Sequence, residues 1–146
     1  MTARTTAAPG RPAPERGMVA PWRLWFGLFG APAAWALELI VNYALASHFC
    51  FPSDTPLATP TWRGTRLTTG IVSVVLVLVC VAALWTAVSA WRSTRAGHTA
   101  EHHHVGETGE GRVRFMAFAG ILLSSVFLYG ALMNAVPVMV MPLCTY

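Results

Sequence analysis

Three long apolar stretches constrain this chain more than any other feature. They run from about Leu24 to Ala46, from about Leu67 to Ala90 and from about Phe115 to Val136. Crossing the roughly 30 Å hydrocarbon layer of a bilayer takes about 20 helical residues, and each stretch is long enough. The sequence therefore predicts an all-α, polytopic membrane protein with three transmembrane helices.

The composition supports this class. Of the 146 residues, 55% are hydrophobic and only 11% are charged, with a mean hydropathy of +0.53. A soluble domain usually has about a quarter of its residues charged. The net charge of +4 does not indicate a nucleic-acid partner, because the arginines lie beside the apolar stretches, where they act as topology signals.

The distribution of arginine predicts the orientation. Eight arginines lie before the first stretch or between the second and the third, and two lie between the first and the second (Arg4, Arg11, Arg16, Arg23, Arg92, Arg95, Arg112 and Arg114, against Arg63 and Arg66). Positive residues favour the cytoplasmic side, so we expect the N-terminus inside and the C-terminus outside a bacterial inner membrane. Residues 1–21 are expected to form a disordered cytoplasmic tail, and residues 22–146 the membrane domain.

A secretory signal is the competing interpretation of the first stretch. Arg23, the apolar run and Ala44-Leu45-Ala46 resemble the three regions of a signal peptide. The run is longer than the usual 7–15 residues, and Glu38 interrupts it. A membrane-spanning helix is therefore favoured.

Glu38 is the acidic residue inside these stretches. An ionisable residue at a helix centre costs roughly 2.5–3.5 kcal/mol on insertion scales, so it usually faces protein, water or a ligand. Counting residues places it level with Ser124, Ser125 and Cys80. Asn42 should lie one turn outward, near Tyr129, whereas Asn134 and His48 should lie close to the outer boundary. These polar residues form a candidate intramembrane or interface set.

Two interpretations of Glu38 remain open. In the first, its carboxyl group is protonated and fixes helix packing through hydrogen bonds to Asn42, Ser124 or Ser125. In the second, it transfers protons or contacts a partner's cofactor or charge. Small residues at four-residue spacing, such as Gly27 with Ala31 and Gly120 with Ser124, predict that the first helix packs on the third, with the second beside them.

Two cysteines are expected on the outer side. Cys50 follows the first stretch and Cys144 follows the third, which favours a disulfide in an oxidising compartment. The alternative is a soft metal site for copper, with thiolate, thioether and imidazole ligands. Its candidate ligands are His48, Cys50, Met139, Met141 and Cys144. A haem-handling role belongs to the same alternative.

The remaining segments carry no catalytic pattern. His102, His103 and His104 lie in a glycine-containing loop that is expected to be solvated. The chain contains no nucleotide-binding loop, catalytic triad, HExxH or CxxC pattern. We therefore expect a protein that is not an enzyme and has no obligatory cofactor.

The run from Trp25 to Trp35, with its Gly-Ala-Pro-Ala-Ala-Trp ending, is followed by Glu38, Asn42-Tyr43-Ala44 and Cys50. This pattern resembles a group of small, uncharacterised three-helix bacterial inner-membrane proteins, in which a second cysteine closes the chain as Cys144 does. The resemblance covers the helices, and it loosely extends to proteins associated with haem–copper oxidase subunits. It implies an accessory subunit or assembly factor, with Glu38 touching the partner complex.

Three functions follow as hypotheses. The first is a non-enzymatic accessory subunit or assembly factor of a respiratory-type membrane complex, bound to lipid and to a membrane-protein partner or a second copy. The second is a periplasm-facing protein that handles copper or haem. The third is a small oligomeric proton-coupled carrier that uses Glu38.

Overall fold

The computed structural model describes residues 20–53, 57–97, 110–141 and 144. Within them the chain forms three helices, α1 (Pro21–Cys50), α2 (Thr65–Gly97) and α3 (Glu110–Val140). Each helix is long and apolar enough to cross a membrane. The prediction of an all-α protein with three candidate membrane spans is confirmed.

The helices extend past the apolar stretches at both ends, because backbone hydrogen bonding does not stop where hydropathy falls. Pro21 begins α1, and proline suits the first turn because its fixed φ matches the helix and its missing N–H has no partner there. At the start of α2 the Thr65 hydroxyl donates to the Trp62 carbonyl at 2.7 Å. The predicted tail before Ala20 and the loop with His102, His103 and His104 lie outside the described residues.

The three helices approach most closely where small residues meet. A Cβ atom added to Gly120 of α3 would lie 3.1 Å from the carbonyl oxygen of Gly27 in α1. A Cβ atom added to Gly27 would lie 3.2 Å from the Cβ atom of Ala87 in α2. Close backbone approach of this kind drives helix association in lipid, where apolar side chains gain nothing by leaving water. We call Gly27, Ala87 and Gly120 the triple contact.

The α1 helix packs on α3 as expected, and α2 lies against both of them. Each helix packs on both others, and α1 makes its most extensive contacts with α2, not with α3. The contact face of α2 consists of small residues in both halves of the helix, which lets it enter the bundle. The fully or nearly fully buried ones are Thr65, Thr69, Ser73, Cys80, Ala83, Ala87 and Ala90.

The contacts between the helices also fix the direction in which each helix runs. Gly27 meets Gly120, Trp35 lies against Gly130, and Cys50 is bonded to Cys144, so α1 and α3 run parallel. The α2 helix runs antiparallel to both, since Gly27 meets Ala87 while Asn42 meets Ser73. We call the end that carries Cys50, Thr65 and Cys144 the disulfide end.

Two glycine substitutions test the triple contact. Gly120→Ala is expected to lower the free energy of unfolding by about 1–3 kcal/mol, because its methyl group overpacks the contact with α1. Gly70→Ala is the matched control: a Cβ atom there meets no described residue within 4 Å. Because alanine favours helix, this control is expected to gain about 0.5–1 kcal/mol. Unfolding in detergent followed by circular dichroism measures both, and equal effects would contradict the close approach.

Candidate functional site

Glu38 lies in the interior of the bundle. None of its surface is exposed, and neither carboxyl oxygen has a hydrogen-bond partner in the part of the chain that the structure describes. Ser73 and Cys80 of α2 both lie within interaction range of its carboxyl group. In the isolated chain Glu38 therefore faces its own helices, so the surface that a partner would contact lies elsewhere.

Asn42 lies one turn beyond Glu38 and joins α1 to α2. Its Nδ2 donates to the Ser73 hydroxyl oxygen at 3.1 Å, while its Oδ1 is buried without a partner within the described ranges of the chain. Ser73 itself is fully buried. The polar neighbour of Glu38 and Asn42 on α2 is therefore Ser73, which the sequence analysis did not select.

Ser73 belongs to a line of hydroxyls that the sequence analysis missed. Thr65, Thr69 and Ser73 follow each other at four-residue spacing, and all three are fully buried. Residues four apart lie on one face of a helix. The sequence did contain a signal for this line, because the four-residue spacing of hydroxyls occurs in a half of α2 whose other residues are mostly Val, Ile and Leu. We call these three residues the hydroxyl file.

The expected depth of Ser124 is wrong. Its hydroxyl donates to the Gly27 carbonyl at 2.9 Å, and Gly27 precedes Glu38 by eleven residues, roughly 16 Å along the helix. Ser125 points outward and donates to the Ile121 carbonyl of its own helix at 2.7 Å. Neither serine therefore provides the hydrogen bond to Glu38 that the sequence suggested. Cys80, in contrast, lies near Glu38 and donates to the Ala31 carbonyl at 3.7 Å.

Asn134 lies inside the bundle, whereas Tyr129 lies on its outer surface. Gly130 lies against Trp35, so one turn further along these parallel helices Asn134 reaches the depth of Glu38 and Asn42. Its Nδ2 is buried without a partner among the described residues. Asn134 therefore lies deeper than the expected boundary position. Tyr129 is 65% exposed on the outer surface of α3.

The adjacent serines provide a matched pair. Ser124→Ala removes a bond between helices and is expected to lower the free energy of unfolding by about 0.6–1.7 kcal/mol, the measured range for such bonds in membranes. Ser125→Ala removes a bond within one helix at an exposed position and is expected to change it by less than about 0.5 kcal/mol. Detergent unfolding of both variants measures the difference. A larger loss for Ser125→Ala would contradict the assignment.

Cys50 and Cys144, the two cysteines expected on the outer side, form a disulfide. Cys50 is bonded to Cys144 with the Cα atoms 5.5 Å apart, which joins the end of α1 to the segment after α3. The disulfide prediction is confirmed. Both thiols that the copper alternative requires are thereby occupied, since a metal needs thiolate ligands. Cys80, the third cysteine, is buried and unbonded to sulfur.

The other ligands of that alternative do not converge. His48 lines a shallow groove on α1 with Phe49 and Phe51. Met139 lines a different groove, beside Arg66 and Leu67, and Met141 is largely exposed. Among the described residues, no group of three or more His, Cys, Asp or Glu side chains is placed to hold a metal ion.

Thiol counting tests the cysteine assignment. Of the three cysteines, one is expected to react with a thiol reagent after denaturation without reductant, and all three after reduction. The reason is that unfolding exposes Cys80 but leaves the disulfide intact. Mass spectrometry of the alkylated chain measures the number. Three reactive thiols in the unreduced protein would contradict the disulfide and revive the soft-metal alternative.

No protein-family model, curated protein or solved structure matches this chain.

Proposed function

We propose that this protein is a non-enzymatic accessory subunit or assembly factor of a respiratory-type complex in the bacterial inner membrane. Its role is to bind a partner membrane protein through the outward face of α3. The association with respiratory complexes rests on the resemblance of the α1 sequence described above. The binding role rests on the position of Tyr129.

The disulfide supports the proposed orientation. Disulfides persist in oxidising compartments such as the bacterial periplasm, and this bond lies at the end of the bundle that the arginine count assigns to the outside. Arg66, at that end, donates to the Met139 carbonyl at 2.6 Å, so one of the two outer arginines also serves the packing of α2 on α3. An N-terminus in the cytoplasm agrees with the position of the disulfide and with the distribution of the arginines.

The exposed position of Tyr129 near the middle of its span is the main observation in support of the proposal. Tyr129 lies about 4 Å from the middle of the α3 span, at about 1.5 Å per residue, and 65% of it is exposed. Its phenol can donate and accept a hydrogen bond, and the hydrocarbon region offers neither water nor a lipid partner at that depth. A partner helix with a polar side chain would satisfy the hydroxyl, as polar residues commonly do between membrane helices.

The surface around Tyr129 suits a helix partner. Leu122, Val126, Met133 and Val136 are all more than half exposed and lie on the same side of α3. The inward side of α3 carries Ala117, Gly120, Ser124, Ala131 and Ala135. Bulky residues therefore cover the outer face, and the small residues are already used inside the bundle. This face can pack on a second protein without disturbing the fold.

The test compares two tyrosines. Tyr129→Phe removes only the hydroxyl at mid-depth and is expected to reduce recovery of the partner roughly three- to fifteen-fold, the worth of one hydrogen bond between membrane helices. Tyr43→Phe is the matched control: Tyr43 is 78% exposed, but lies about 11 Å from the middle of its span. At that depth tyrosine is ordinary, because its hydroxyl reaches the interface.

The measurement is co-purification of the tagged full chain from its native host in mild detergent, with quantitative mass spectrometry of partners. A stoichiometric respiratory-type complex that Tyr129→Phe weakens and Tyr43→Phe does not supports the proposal. Recovery of the protein alone, or only as a homo-oligomer, contradicts it. Equal effects of both substitutions would remove Tyr129 from the interface.

A further inference from the structure

The carboxyl group of Glu38 has no counter-charge among the residues that the structure describes. From α2, the titratable group that faces it is Cys80, and from α3 only the uncharged amide Asn134 reaches its depth. The cations of the described helices lie near their ends. Arg23 of α1 lies roughly 22 Å from Glu38 along the helix. An isolated carboxylate that is buried without a counter-charge is costly.

Unpartnered polar atoms surround this position. Both oxygens of Glu38 and the Oδ1 of Asn42 are buried acceptors without a donor among the described residues, and the Nδ2 of Asn134 is a buried donor without an acceptor. The Ser73 hydroxyl accepts from Asn42 and lies within interaction range of the Glu38 carboxyl group. A protonated Glu38 adds one more donor where acceptors are in excess.

The hydroxyl file leads from this position to the disulfide end. Asn42 contacts Ser73, and Thr69 and Thr65 follow on the same face of α2, with Cβ atoms about 5–6 Å apart. At rest, Thr69 and Thr65 donate to backbone carbonyls of their own segment, at 3.0 Å to Thr65 and 2.7 Å to Trp62. Each hydroxyl oxygen keeps its lone pairs, so it can accept one proton while releasing another.

The opposite direction has no such file. Beyond Cys80 the buried face of α2 consists of Ala83, Ala87 and Ala90. In the triple contact the backbones approach too closely for intervening side chains. The buried hydroxyl of Ser124 in that half donates to the Gly27 carbonyl. On α2, fully buried hydroxyls therefore follow one another on one side of Glu38 only, among the residues that the structure describes.

We propose that Glu38 is a proton-binding site that exchanges protons only with the aqueous phase at the disulfide end, through the hydroxyl file. A hydronium ion at that surface gives up a proton, which converts the Glu38 carboxylate to the neutral carboxyl and leaves water. Release runs through the same groups in reverse. This site is separate from the Tyr129 face, so it does not depend on the proposed partner.

Infrared spectroscopy of the full chain in lipid vesicles tests the site. A protonated carboxyl group has a carbonyl stretching band that is lost on ionisation and shifts when deuterium replaces the proton. Glu38 is the acidic residue within the three spans, so its band is expected at neutral pH. Glu38→Asp should shift this band, and Glu38→Gln should remove it. The Asp variant assigns the band even where the Gln variant does not fold.

The route is tested by the rate of deuterium exchange at this band. Thr69→Val removes one hydroxyl of the file at constant shape and is expected to slow exchange by about tenfold or more, because one group that can relay a proton is lost. Thr86→Val is the matched control: this hydroxyl of the same helix donates to Ala83 at 2.8 Å, on the other side of Glu38. Its exchange rate should equal that of the unmodified chain.

Vesicles with a single orientation of the chain test the sidedness. Acidification at the disulfide end is expected to restore the Glu38 band in chains ionised at high pH, and acidification at the opposite end is not. Absence of any band that Glu38→Asp shifts would overturn the site. Equal exchange in Thr69→Val and Thr86→Val would overturn the route. An equal response to acid on both sides would overturn the sidedness. The intact disulfide and the helical circular dichroism of each variant control for folding.

Discussion

The close approach of three helix backbones at the triple contact is the interaction on which the rest of this structure depends. In lipid there is no hydrophobic gain from bringing leucine faces together, so the helices need short distances and polar bonds. Gly27, Ala87 and Gly120 provide those distances, and the bond from Ser124 to the Gly27 carbonyl adds to them. The disulfide between Cys50 and Cys144 joins the same helices at the other end. Between these two fixed points lies the segment that contains Glu38.

That arrangement explains how an acidic residue can occur in so small a bundle. Glu38 would be costly against lipid, and burial among α1, α2 and α3 removes it from the hydrocarbon without providing a counter-charge. Ser73, Asn42 and Asn134 supply the polar surroundings at that depth. The interior and the outer surface thus have different roles in the two proposals: Glu38 inside binds a proton, and Tyr129 outside binds a partner.

Several parts of the candidate site could be predicted from the sequence. The number of spans, the intramembrane acid and the cysteine pair follow from hydropathy, residue type and position, which are local properties. The polar neighbour of Glu38 on another helix, Ser73, could not be predicted in this way, because counting residues from each predicted end placed Ser124 roughly 16 Å from where it lies relative to Glu38. The four-residue spacing of Thr65, Thr69 and Ser73 was visible in the sequence, but it did not show whether that face of α2 points into the bundle or toward lipid.

By itself, the sequence determined that this chain forms three helices long and apolar enough to span a membrane, with one carboxyl group in the first. It also placed two cysteines where they can join the first helix to the segment after the third. Only the tertiary structure decided which face of each helix is inside. In a soluble protein the apolar face turns inward, but here the lipid and the interior are both apolar, so hydropathy does not orient a helix. Contacts of small residues set the rotation and depth instead. They place Ser73 inside beside Asn42, and they leave Tyr129 outside.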